Sequence, residues 1–154
     1  MPAVLALRPI GAVRRSGDRV WLAVDDPYRP ALAEVDRFSH IIVLWWVSGH
    51  DNEESRSILQ TELPYAPDVT AGVFACRAEY RPNPIAITTC QVGSVDIEAG
   101  IVEIGAIDAY DGSPLLDIKP YIGVVDRVED ITVPDWFAGW PEWMPQEGIG
   151  LYED

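Results

Sequence analysis

A mainly β fold of the non-Rossmann kind is what this sequence predicts, on three observations. Its 13 prolines and 12 glycines are scattered along 154 residues, and they cut the chain into short apolar runs of the sort that strands and turns produce. The runs are rich in valine and isoleucine, residues that fit a pleated, half-buried surface. No helical pattern lasts long enough for a βαβ crossover series, and no glycine-rich dinucleotide fingerprint occurs.

Taken in order, the runs predict strands over 5–13, 19–24, 40–47, 72–76, 85–92, 101–107 and 115–118. The 40–47 run is the most apolar, and alternation along it sends Trp45 and Trp46 to opposite faces. The 101–107 run does not alternate strictly, so it is buried on both faces or bulged at Gly105. Helical signals are few. Asp51, Asn52, Glu53 and Glu54 before Ser55 look like an N-cap followed by acids in a first turn. Residues 30–35 have room for one or two turns, and Pro134 suits the start of a short helix.

The hydrophobic fraction is 48% and the charged fraction 23%, which excludes wholesale disorder. No apolar run approaches the ~20 residues of a membrane span. The opening residues lack a basic flank and a cleavage site and read as structure rather than a signal peptide. Two cysteines, Cys76 and Cys90, form neither a disulfide framework nor a zinc spacing, so a reducing cytoplasm is the expected compartment and no metal is expected. Against 25 acids stand 11 bases, a net charge of −14. The segment from Asp126 onward is acidic and carries Trp136, Trp140 and Trp143. A chain this acidic repels phosphates over most of its surface, which disfavours a nucleic-acid partner.

Three segments hold most of the polar chemistry. In the first, a strand from Gly72 leads into Arg77 and Arg81, then Pro82, Asn83 and Pro84. The paired prolines stiffen the turn around Asn83 and hold Arg81 and Asn83 extended. On base rates it is a stiff surface turn, and alternatively a ligand loop. In the second, Asp111-Gly112 is a strong hairpin signal, extended by Ser113-Pro114. Asp117 and Lys119 share one side of the following strand and read as an ion pair. In the third, His40 opens the apolar strand that runs to Trp46 and is followed by Ser48, Gly49 and His50. A lone histidine there is more often a satisfied core donor than a catalyst.

In combination these motifs carry a resemblance. Phe38-Ser39-His40, the run Gly72 to Arg77, Arg81-Pro82-Asn83-Pro84-Ile85 and the run Asp111 to Tyr121 occur in that order. With the opening Ile10 to Val13, the set resembles the TsaA/TrmO-like family over roughly residues 8–122. The resemblance implies a single antiparallel-rich β-barrel with a few short helices. It implies an S-adenosylmethionine-dependent methyltransferase acting on N6 of threonylcarbamoyladenosine in tRNA, and a homodimer with the cofactor near the subunit interface. It implies cofactor contacts from Ser48, Gly49, Arg77, Ala106, Ile107, Asp108 and Ala109. The barrel then spans 1–125, and 126–154 is an acidic, Trp-rich extension. The family often has Thr and Ser on either side of this arginine, where Cys76 and Ala78 stand here. The loop Arg14–Arg19 is shorter than in many relatives.

Methyl transfer from a sulfonium is an in-line displacement that needs alignment and exclusion of water more than acid–base groups. A base is required only if the acceptor nitrogen carries a proton, and Asp108, Asp111 and His40 are the candidates. Arg77 or Arg81 can hold a carboxylate by a bidentate contact. Arg81, Asn83 and Lys119 are candidates for a substrate or pocket loop. The extension is a strap closing the barrel or packing on a partner, or a lid over the ligand pocket. Three further functions stay open: an enzyme that uses the same cofactor on a small molecule, a non-catalytic module that binds an adenosyl ligand, and a structural interaction domain that has lost the pocket, as the shortened loop suggests.

Overall fold

The structure, a computed structural model, describes residues 2–146. It divides into two compact units, Met1–Trp46 with Ile87–Tyr121, and Val47–Ala86 with Ile122–Asp154.

The first unit is a closed antiparallel barrel. Its strands are β1 (Gly11–Ser16), β2 (Arg19–Val24), β3 (His40–Trp46), β6 (Ile85–Asp96), β7 (Ile101–Ile104) and β8 (Pro114–Pro120), ordered β1-β2-β7-β6-β3-β8 around the barrel. The six strands leave no open edge, which removes the usual template for edge-to-edge association. Alternation sets the inside. Val13, Leu22, Ile41, Val43, Val102 and Leu115 are fully buried, and each lies on a strand whose neighbouring positions point outward. Trp45 is buried as well, and its indole Nε1 donates to Thr88 Oγ1 at 3.1 Å, whereas Trp46 is half-buried. Gly11 is required by packing: a Cβ there would stand 1.9 Å from the Ala23 carbonyl oxygen.

Several boundaries differ from the sequence reading. The first strand begins at Gly11, and Leu5 and Leu7 are exposed on chain with no regular structure. Strand β7 stops at Ile104, because Gly105 turns its N–H to the Gln91 carbonyl (2.9 Å). The Asp111-Gly112 turn does not close a hairpin. β7 and β8 are not neighbours in the barrel, and the turn anchors on β1 instead. Gly112 N–H donates to the Val13 carbonyl at 2.7 Å with φ at 86°, a conformation that glycine adopts without strain. Residues 30–35 lie at the junction of two 3-10 turns, Asp26–Leu32 and Val35–Arg37, with Ala33 and Glu34 between them.

The second unit contains what the sequence reading missed, a two-stranded sheet of β4 (Gln60–Leu63) and β5 (Ala66–Gly72). Its strands carry Pro67 and Asp68, residues that argue against a strand interior, which is why the pattern concealed it. The expected strand over 72–76 is instead a 3-10 turn, Val73–Ala75. Val73 N–H closes the sheet by donating to the Leu59 carbonyl at 3.0 Å, and the chain then turns away. The helix after Asp51 is a single turn, α1 (Glu53–Arg56), with Asn52 as its cap. Asn52 Oδ1 accepts from Ser55 N–H at 2.7 Å. A second one-turn helix, α2 (Gly123–Asp126), and a 3-10 turn, Asp135–Phe137, lead into the C-terminal segment. Residues 147–154 of the predicted extension lie outside the described residues.

Candidate functional site

The second unit carries an open pocket of about 650 Å³, within the size range of small-ligand pockets. One wall is the end of β4 and the turn after it. Another is the chain from Phe74 to Tyr80. A third comes from the C-terminal segment through Phe137 and Trp140. Tyr65, Phe137 and Trp140 form one aromatic cluster with ring centroids 5.1–5.6 Å apart, two of the three pairs edge-on. That geometry matches the preference of aromatic quadrupoles. The Trp-rich segment is therefore part of a pocket wall within its own unit.

Arg77 stands on this wall. It is exposed, and among the described residues it has no hydrogen-bond or ion-pair partner. Arg81, four residues on, does something different. Its guanidinium donates to the carbonyls of Val73 (2.7 Å), Ala78 (2.9 Å) and Cys76 (3.1 Å). One side chain thus satisfies three carbonyls and sets the shape of the segment that presents Arg77. Asn83 is exposed at the tip of the proline turn, and its Oδ1 accepts from Arg56 Nη2 at 3.1 Å. Pro84 is fully buried, and its carbonyl accepts from Val47 N–H at 2.8 Å. The rigid Arg-Pro-Asn-Pro turn is scaffolding for the pocket segment. Cys76 also lines the cavity. Ser48 and Gly49 are exposed on a 3-10 turn that ends at His50.

Glu79 and His50 were not singled out by sequence reasoning. Glu79 lines the cavity, and its carboxylate accepts from His50 Nε2 at 3.1 Å. His50 Nδ1 is 3.0 Å from Ser55 Oγ. Tyr80 meets the His50 ring edge-on at 5.9 Å, and its hydroxyl is 2.7 Å from Thr61 Oγ1. The only sequence signal was the position of Glu79 and Tyr80 between the two arginines.

The remaining expected site residues belong to the barrel unit. Ile107 and Ala109 are buried, and both their carbonyls accept from the Arg15 guanidinium, Ala109 at 2.7 Å. Asp111 accepts from Arg15 N–H at 2.9 Å and pairs with Arg14 at 3.2 Å. Arg14 and Arg15 thus fix the whole 107–112 segment. Ala106 and Asp108 are exposed. Burial pushes the Cys90 thiol up to about 12, and the Asp108 carboxylate adds to the shift. His40 Nδ1 is 2.8 Å from Ser39 Oγ, and its ring meets Tyr121 edge-on. Lys119 pairs with Asp117 at 3.0 Å, as the strand spacing predicted. Among the described residues no cluster of His, Cys, Asp and Glu is arranged to hold a metal, and no helix is long and apolar enough to cross a membrane.

A closed six-stranded antiparallel barrel, joined in sequence to a unit with an aromatic, arginine-bearing pocket, defines a class of small-ligand-binding β-barrel proteins distinct from the Rossmann enzymes. Within that class, the chain belongs to the tRNA-methyltransferase O N-terminal domain family, whose model matches residues 8–127. An S-adenosyl-L-methionine-binding protein of Archaeoglobus fulgidus is 31% identical over 141 residues, covering 82% of this chain and 96% of that protein. The human tRNA (adenine(37)-N6)-methyltransferase is 32% identical over 104 residues, 68% of this chain and 23% of that one. A crystal structure of TrmO from P. aeruginosa superposes with a TM-score of 0.67 at 25% identity. The match covers 88% of this chain and 62% of that one. The chain therefore spans nearly the whole of the archaeal relative and a minor part of the human enzyme.

Proposed function

We propose that this protein binds S-adenosylmethionine and is a methyltransferase. Arg77 carries the reading: an arginine without a partner among the described residues, on the wall of an apolar, aromatic cavity, inside the segment that the family match covers. The residues fit the cofactor. A guanidinium suits its carboxylate, aromatic faces suit a sulfonium or an adenine ring, and the cavity has ample volume. When bound, the cofactor supplies a methyl group on a cationic sulfur. Arg77 orients the carboxylate end, Arg81 holds the segment that presents Arg77, and the cluster of Tyr65, Phe137 and Trp140 excludes water. Ser48 and Gly49 of the same unit are further cofactor contacts in this reading.

None of the three candidate bases is singled out: Asp111 is held by Arg14 and Arg15, and His40 Nδ1 lies 2.8 Å from Ser39 Oγ. The tRNA (adenine(37)-N6)-methyltransferase relatives suggest N6 of a tRNA adenine as the acceptor, and the family resemblance makes that nucleoside threonylcarbamoyladenosine. A small-molecule acceptor is the second reading, favoured by the net charge of −14. A cytoplasmic homodimer completes the proposal. The exposed Val124, Val125, Val128 and Ile131 offer an apolar strip for the second copy, and Phe137 and Trp140 of the C-terminal segment close the pocket. Transfer of labelled methyl groups from S-adenosylmethionine, assayed on tRNA from cells lacking the N6 methylation and on a small-molecule extract, tests it. Label in tRNA supports the first reading, and label only in the extract supports the second. No label in either, with the cofactor bound, would leave a non-catalytic adenosyl-binding module.

A further inference from the structure

The pocket of the second unit contains a feature that a carboxylate anchor does not explain. Glu79 brings a carboxylate to an otherwise mostly apolar wall. It is held from behind by His50, which is held in turn by Ser55 and flanked by Tyr80. Glu62 lines the same cavity. A neutral apolar ligand would cover the cavity-facing side of these carboxylates and offer them no new partner, and a phosphate would be repelled by them. A carboxylate fixed beside aromatic faces is the recognition chemistry of an organic cation. Arg77 adds a separate position for an anionic group. Phe137 and Trp140, which complete the aromatic wall, lie beyond residues 8–127 of the family match.

We infer that the pocket is an onium site. It takes a small organic cation with an apolar or planar body, its positive group beside Glu79 and the Tyr65–Phe137–Trp140 cluster, and any carboxylate it carries on Arg77. His50 is a positioning residue for Glu79. The onium group has two chemical sources. One is the sulfonium of S-adenosylmethionine, an assignment that rests on the proposed function. The other is the ammonium of a small amine acceptor, which does not need it.

Calorimetric titration with S-adenosylmethionine, S-adenosylhomocysteine and benzyltrimethylammonium tests the inference on the wild type, Glu79→Gln and Trp140→Ala. Phe137→Leu replaces Trp140→Ala if that variant is insoluble. If the sulfonium is the occupant, the charged cofactor binds the wild type about tenfold tighter than its neutral product, both variants bring that ratio below about threefold, and benzyltrimethylammonium competes with it. If the ammonium is the occupant, benzyltrimethylammonium binds alongside S-adenosylmethionine and is lost in both variants. Equal affinities for cofactor and product with no benzyltrimethylammonium binding would overturn the onium site, and so would a preference that survives in both variants. Benzyltrimethylammonium binding lost in Glu79→Gln, with neither adenosyl compound bound, would keep the onium site and remove the methyltransferase reading.

Discussion

Arg77 and Arg81 are four residues apart and chemically identical, yet the structure gives them opposite work. Arg77 has no partner among the described residues and stands on a pocket wall, whereas Arg81 spends its donors on three backbone carbonyls. Arg77→Ala should weaken S-adenosylmethionine binding at least about tenfold, near 1.4 kcal/mol, with little change in melting temperature. Arg81→Ala should weaken binding as much and also lower the melting temperature, because three carbonyls lose a charge-assisted donor. Binding unaffected by Arg81→Ala would mean that the segment keeps its shape without it. The cysteines offer a second residue-scale test. Cys90 is buried with its thiol pushed up to about 12, while Cys76 is half-buried and lines the pocket. An alkylating reagent at pH 8 should label Cys76 and leave Cys90 intact until the protein is denatured, and bound ligand should protect Cys76. Native labelling of Cys90 would contradict the packing described for the barrel.

Among the elements, those that bury a full face were legible and those that do not were hidden. Strands β2 and β3 follow from short apolar runs bounded by turn and polar residues, since such runs must bury a face in the barrel. β4 and β5 were missed, since Pro67 and Asp68 interrupt β5 and the two-stranded sheet buries little. The turn at Asp111-Gly112 was legible as a turn, but not its partner. Glycine and aspartate announce a positive φ, whereas the anchoring on Val13, Arg14 and Arg15 depends on tertiary placement. The same distinction applies to the site. Arg77 was accessible through motif resemblance, while Glu79 became visible only when the fold carried it to His50. The cap on α1 is a local feature and gives a local prediction. Asn52→Ala should cost about 1 kcal/mol, measured by urea denaturation, because Ser55 N–H loses its acceptor.

At the level of the molecule, a closed barrel with Leu22, Val43 and Leu115 fully buried makes a cooperative core, and the ligand chemistry of the second unit is separable from it. Leu115→Ala should destabilise the protein by about 2–5 kcal/mol, read from the denaturation midpoint, whereas Trp140→Ala should act mainly on binding. The charge of −14 is the other molecular property with functional weight, since it opposes a polyanionic substrate and leaves a small cationic or zwitterionic ligand unopposed.

The most direct measurement is calorimetric titration of the full chain with S-adenosylmethionine, set beside the same titration of Arg77→Ala. The account predicts binding in the micromolar range for the wild type and an affinity at least about tenfold lower for the variant. No binding by the wild type, or equal binding by both proteins, would contradict the assignment of this pocket to the cofactor.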